Sequence, residues 1–312
     1  MSGRAGRLPD FVCIGAVRAG TTWLWENLRG HPRVWLPPEK EINFFNRLHP
    51  ILGDEPAAET VGDGATRPGA TGGERPRLLR DRLRHLKPDR VGRYLRRLRP
   101  AELAWQLRFY GKAPSEAWYR SLFASAGGRL AGDITPHYSA LPAAGARYAA
   151  ELLSEAKFIL ILRDPVARAW SHAVFDLTRY GRRPVGTISA EDFRAHFHNP
   201  HARVRGDYVR MLDLWQGLLP PDRLRIAFFD DIGRRPGEFL RETLLFLGAG
   251  DAPYTPPKAE EKVNASVKAS LPAELRRELA GIYLSDLEAL SVRLGGPAVG
   301  WLERARAALA GS

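Results

Sequence analysis

The chain has 312 residues, 47 Lys/Arg against 35 Asp/Glu, a formal net charge of +12 and 44% hydrophobic residues. That supplies a sizeable core and excludes a disordered or fibrous chain. The one cysteine excludes an internal disulfide, and no apolar run approaches the ~18 residues of a spanning helix, so a reducing, soluble, cytoplasmic setting is expected.

The N-terminus, MSGRAGRLPD, lacks the apolar segment of a secretory signal. Residues 11–15, FVCIG, form a short apolar run closed by Gly and predict a buried strand with Cys13 as an inert thiol inside it. Residues 21–30 read as a helix, HPRVWLPP as a loop, and EKEINFFN as the path that follows. Residues 50–76 are rich in Gly, Pro, Ala and Thr and read as a loop. Residues 75–99 hold 11 Lys/Arg against 2 Asp, so the basic charge is concentrated there. Their leucines suit amphipathic helices broken at Pro88 and Gly92.

Regular structure is expected to resume near Trp118, with a short strand at 129–132. FILIL (158–162) is the clearest buried strand, followed by RDP and a helix through ARAWSHAVFDLTRYG. GDYVRMLDLWQGLLP reads as a helix with Tyr208, Leu212 and Trp215 near one side. LRIAFF (224–229) reads as a strand, and PGEFLRETLLFLG as a helix from Pro236 to a Gly248 stop. A last helix runs through SLPAELRRELAGIYLSDLEALSVRLGG, with Leu275, Leu279, Ile282, Leu287, Leu290 and Leu294 inward. Continuous apolar strands alternating with helices predict an α/β fold, a central parallel sheet flanked by helices in three layers. One domain over 1–312 is expected, with a basic insert at about 47–113.

In such sheets ligands bind beyond the carboxyl ends of the strands. GAVRAGTT lies there, with the outline of a phosphate loop: Gly15 and Gly20 permit close backbone approach, and the helix N-terminus favours an anion. Thr21 and Thr22 add hydroxyls. The Lys that follows the second Gly of a nucleotide-triphosphate loop is absent; the cation is Arg18 instead. The plain alternative is a Gly turn with a Thr cap. RDPVARAWS places Arg163 directly after a buried strand and Ser171 in the next helix. An Arg there can fork onto a phosphate, or pair with a carboxylate such as Asp164.

Together these residues resemble the sulfotransferases that use 3′-phosphoadenosine 5′-phosphosulfate, in the carbohydrate and heparan-type branch and its bacterial relatives. GAVRAGTTWL is similar to the family's 5′-phosphosulfate loop and LRDPVARAWSH to its 3′-phosphate motif. EKEINFFN, GDITPHYS and GDYVRMLDLWQGLLPPDRLRIAFFDDI extend the likeness over most of the chain outside 47–113. The resemblance implies a P-loop-like fold, with donor contacts from Arg18, Ala19, Gly20, Thr21, Thr22, Trp23, Arg163, Ser171 and Tyr208. Lys262 and Lys268, in a polar loop, are further candidates. It implies Glu41 as the base that takes the acceptor's proton, with Arg18 as charge stabiliser and His172 as a second candidate acid–base group. Phe44 and Phe45 are expected to wall the pocket and raise the Glu41 pKa, with Glu39 and Lys40 as solvated neighbours. The implied acceptor is a carbohydrate, glycolipid or natural product. Two positions depart from the pattern. Arg18 stands where the family usually has Lys, which keeps the charge but suits stabilisation more than proton donation. Ile134 stands where heparan-type enzymes often have Lys.

The eight His are scattered, with no HxxxH or CxxC pair, so no metal is expected. Residues 75–99 stay open between a solvated surface, a lid over an anionic or polymeric acceptor, and contact with an anionic membrane. Two rival functions are weaker. A P-loop kinase needs the missing Lys. A nucleic-acid-binding protein leaves GAVRAGTT, Glu41 and RDPVARAWS without a role, so no nucleic-acid partner is expected.

Overall fold

The computed structural model describes residues 6–53, 100–250, 254, 256 and 269–311. Lys262, Lys268 and the Arg-rich stretch 75–99 lie outside the described residues. The apolar run FVCIG is β1 (Phe11–Gly15), buried throughout, and α1 (Thr21–Leu28) follows. HPRVWLPP contains β2 (Val34–Trp35), too short to leave a periodic signal. Then come α2 (Phe44–Leu48), α3 (Pro100–Gly111) and α4 (Glu116–Leu122). Among the described residues a helix is thus already present from Pro100, ahead of the expected Trp118.

Next are β3 (Leu130–Ile134), α5 (Ala143–Leu152), β4 (Lys157–Leu162) and α6 (Pro165–Phe175), which passes into a π-helical turn at Asp176–Tyr180. They are followed by α7 (Ala190–His198), α8 (Pro200–Val204), α9 (Tyr208–Leu218), β5 (Leu224–Phe228), α10 (Phe229–Arg234), α11 (Pro236–Leu247), α12 (Ala273–Leu294) and α13 (Pro297–Ala310).

The five strands lie in the order β2-β3-β1-β4-β5, and every neighbouring pair is parallel. This is the expected α/β sheet flanked by helices. Residues 158–162 are all 0% exposed, which is why β4 reads as an unbroken apolar run rather than an alternating one. Trp215 of α9 packs against Phe158, ring centroids 5.6 Å apart. The chain passes from β1 to the edge strand β2, returns to β3 beside β1, and then crosses to β4 on the other side of β1. The order therefore reverses at β1, and open parallel sheets form their ligand crevice at that point.

One detail of the last helices differs from the sequence reading. On α12 the buried stripe runs through Leu279, Tyr283, Leu287 and Leu290, while Ile282 and Leu294 are half-buried. A 3.6-residue period places position 283, not 282, one turn beyond 279. From α13, Arg304 pairs with Asp164 at 3.1 Å, tying the C-terminal hairpin to the β4–α6 turn. Among the described residues no helix is long and apolar enough to cross a membrane.

Candidate functional site

The carboxyl ends of three adjacent strands, β3, β1 and β4, each deliver one part of the site. From β1 the chain turns through Ala16–Gly20. Arg18 sits at φ 66, a left-handed conformation that non-Gly residues hold only where the surroundings enforce it. Gly20 has φ 89, and a Cβ there would lie 2.8 Å from Phe229 and from Ile232, so this position requires glycine. Gly20 is also the N-cap of α1, and no side chain caps that helix. By contrast, Asp164 caps α6 by accepting from the backbone N–H of Val166 at 2.9 Å. The first amides of α1 thus keep their capacity for an anion, which the helix dipole favours. Ala19, Thr21 and Trp23 are buried, Trp23 edge-on to Phe239; Thr22 is half-buried.

The segments GAVRAGTT and RDPVARAWS, far apart in sequence, meet here. Arg18 Nε donates to Ser171 Oγ at 3.1 Å, and its guanidinium lies 4.5 Å above the Phe175 ring. Arg163 Nη1 donates to the Arg18 carbonyl at 3.0 Å and stacks over Phe229 at 4.7 Å. The backbone N–H of Arg163 points to the Tyr208 hydroxyl at 3.4 Å; Tyr208 is wholly buried, and burial pushes its pKa up to about 12. It sits beneath the motif as part of the core. Asp164 does not pair with Arg163: it caps α6 and pairs with Arg304. Burial lowers the Arg18 pKa, and the neighbouring Arg163 charge lowers it further; burial likewise lowers that of Arg163. Two desolvated guanidinium groups that repel each other beside uncapped amides form a receptor for a multiply charged anion. The donor set suits phosphate-type anions.

Glu41 approaches from the β3 side. Its backbone N–H donates to the Ile134 carbonyl at 3.2 Å, at the end of β3, and it too has positive φ, 67, as has Asn43 at 58. Lys40 is no solvated neighbour: its side chain is 15% exposed and its Nζ donates to Glu41 Oε1 at 2.6 Å. His137 Nε2 lies 4.0 Å from Glu41 Oε2. Burial pushes the Glu41 pKa up, but the charge and hydrogen bond of Lys40, with His137, outweigh it, and the net shift is downward. This corrects the expected rise. Phe44 and Phe45 do not wall a pocket either. Both are 0% exposed, and Phe44 stacks on Tyr119 at 4.5 Å in the core.

What holds this loop was not visible in the sequence. The Tyr138 hydroxyl accepts from the Phe44 N–H at 2.9 Å and donates to Asp133 Oδ2 at 3.1 Å. Tyr119 donates to the same oxygen at 2.9 Å, and Thr135 to Oδ1 at 2.7 Å. Burial raises the Asp133 pKa to about 6 against these hydrogen bonds. GDITPHYS thus supplies a buried bracket for the Glu41 loop. The only advance signal was an Asp embedded in an apolar strand.

His172, next to Ser171, faces Asp176. Its ring is buried, Nε2 is 3.2 Å from Asp176 Oδ2, and burial, with the charge of Arg168 next, pushes its pKa far down. A cavity of about 450 Å³ between α11 and Gly250, Tyr254 and Pro256 contains none of the residues named so far in this site.

The sequence model of the sulfotransferase family matches residues 9–253. The chain belongs to the sulfotransferase family. Among solved structures it is similar to a sulfotransferase from Alicyclobacillus acidocaldarius, at 21% identity and a TM-score of 0.56 over 94% of this chain and 98% of that one. It is also similar to a sulfotransferase domain of the Synechococcus PCC 7002 olefin synthase, at 18% identity and a TM-score of 0.47 over 90% and 96%. A sulfotransferase domain from the curacin biosynthetic pathway gives 17% identity and a TM-score of 0.44 over 80% and 76%. No curated protein matches. The family match covers β1 to β5, with GAVRAGTT and RDPVARAWS, and ends before α12 and α13.

Proposed function

We propose that the chain transfers a sulfuryl group from 3′-phosphoadenosine 5′-phosphosulfate to a hydroxyl or amine of a carbohydrate, glycolipid or natural-product acceptor. The observation that carries this reading is the convergence of Arg18, Arg163 and Ser171 on the uncapped N-terminus of α1. The loop amides and Arg18 hold the 5′ end of the donor. Arg163 and Ser171 grip the 3′-phosphate and so select this donor over a nucleoside triphosphate; Lys262 and Lys268 are candidates for further contact.

Glu41 takes the proton from the acceptor oxygen or nitrogen, which forms a bond to sulfur as the sulfur–oxygen bond to the 5′-phosphate breaks. The leaving bisphosphate gains negative charge, and Arg18 with the α1 amides stabilises it where it develops. The contribution of the protein is positioning and electrostatics, as in phosphoryl transfer. We assign the base to Glu41 rather than His172, whose Nε2 faces Asp176 and whose ring is buried. The low Glu41 pKa keeps the carboxylate ionised at neutral pH. Lys40 and His137 lie beside it.

Calorimetric titration with adenosine 3′,5′-bisphosphate tests the reading. The chain should bind it more tightly than ADP. Arg163→Ala should weaken bisphosphate binding by ~10–100-fold, the worth of a charged hydrogen bond, and leave ADP binding nearly unchanged. Equal affinity for the two nucleotides, or no effect of the variant, contradicts it.

A further inference from the structure

Three side chains converge without a role in the transfer reaction, one at the end of LRDPVARAWSH and two beyond it. His172 on α6, Asp176 at the start of the π-helical turn and His196 on α7 each present a ligand atom, and these atoms all lie within 4.8 Å of one another. His172 Nε2 is 3.2 Å and His196 Nε2 is 2.9 Å from the same oxygen, Asp176 Oδ2. Zinc bound at ~2.0–2.1 Å by tetrahedral ligands has ligand–ligand edges of about 3.3 Å, so both separations approach the edges of such a polyhedron.

The setting supports a built site. His172 is 6% exposed, and its other nitrogen, Nδ1, is buried with no partner among the described residues, so the polar contacts of this ring lie on the Nε2 side. Among the described residues Asp176 forms its ion pairs with two imidazoles and with no arginine, in a chain rich in arginine. It opens a π-helical turn, a rare conformation frequent at functional sites. One helical turn separates His172 from Asp176, and the third group comes from a packed neighbour. An HxxxH or CxxC search passes over that pattern.

We infer that His172, Asp176 and His196 form a binding site for a zinc-class divalent cation, with a fourth position left for water or an anion. Two imidazoles and one carboxylate are a donor set for zinc or cobalt rather than for magnesium or calcium, which take oxygen ligands. Asp176 lies within electrostatic reach of Arg18, so a bound cation cancels the pull of this carboxylate on the loop cation. The site goes beyond the transfer reaction and does not depend on it.

Cobalt titration of the full chain, with any affinity tag removed and after treatment with chelator, tests the inference. One equivalent of Co²⁺ should give visible d–d absorption of a low-symmetry N/O site, and Zn²⁺ should abolish it, whereas Mg²⁺ and Ca²⁺ should not. His196→Ala should weaken cobalt binding by at least about tenfold with the far-UV spectrum unchanged, and His196→Gln should do the same. His198→Ala, an exposed neighbour on α7, should change nothing. A triad held by hydrogen bonds alone gives no cobalt spectrum. That result, or a spectrum that survives both His196 variants, overturns the inference.

Discussion

Two loops lie at the carboxyl ends of β1 and β3, and they are held in different ways. The β1–α1 loop carries Arg18, which meets a hydroxyl, an aromatic face and the charge of Arg163. The loop before α2 carries Glu41, already paired with Lys40 and braced through Phe44 by a buried Asp–Tyr network. Both are strained, with a charged residue in the left-handed region. Anchored strain of this kind is expected where function fixes a side chain. The difference teaches a division of labour: one loop gathers positive charge beside uncapped helix amides, and the other holds a paired carboxylate whose pKa is lowered.

The most complete way to break the contrast is Glu41→Gln, which removes the base and keeps the shape. Turnover should fall by ~10²–10⁴-fold with donor binding unchanged; near-full rates across the pH range would remove Glu41 from the reaction. Arg18→Ala attacks the other loop, and kcat should fall by ~10²–10³-fold, the typical effect of deleting one donor to developing charge. A change confined to KM would make Arg18 a binding group only.

A smaller effect sharpens the bracket beneath Glu41. The Asp133 pKa stands at about 6 in the fold, against an ordinary value of 3.8. Raised in this way, the group favours the fold fully below its unfolded pKa, and that contribution is lost as pH rises through about 6. The term amounts to roughly 3 kcal/mol. Asp133→Asn should flatten the fall in urea-measured stability between about pH 4 and 6, and superimposable wild-type and variant profiles would show that Asp133 does not titrate there.

The smallest effect is a displacement along the pH axis. Lys40 holds the Glu41 pKa down against burial. In Lys40→Met the acid limb of kcat should therefore move to higher pH, with the plateau largely kept. An unmoved limb would mean that the pair does not set the Glu41 titration.

Much of this contrast was legible one loop at a time. β1 and β4 announce themselves because strands buried on both faces are continuous apolar runs. Arg18, Gly20, Arg163 and Ser171 were legible because each motif is local: a strand end, a turn and the first turns of a helix. The partners of Glu41 were not. Lys40 adjoins it in sequence, but nothing in EKEINFFN says that the amine folds onto the carboxylate rather than into solvent. Phe44 and Phe45 were misplaced because an apolar residue near a site suits core and pocket wall equally, and stacking on Tyr119 decides for the core. Asp133–Tyr138–Phe44 and His172–Asp176–His196 depend on packing between elements, which periodicity does not report. Tyr283 was missed because the leucine pattern of α12 also fits a stripe shifted by one residue.

The central claim is that the β1–α1 loop and the start of α6 grasp opposite ends of one nucleotide. A crystal structure of the chain with adenosine 3′,5′-bisphosphate tests it most directly. The account predicts the 5′-phosphate on the amides of Gly20, Thr21 and Thr22 beside Arg18, and the 3′-phosphate on Arg163 and Ser171. A nucleotide bound away from either anchor would contradict it.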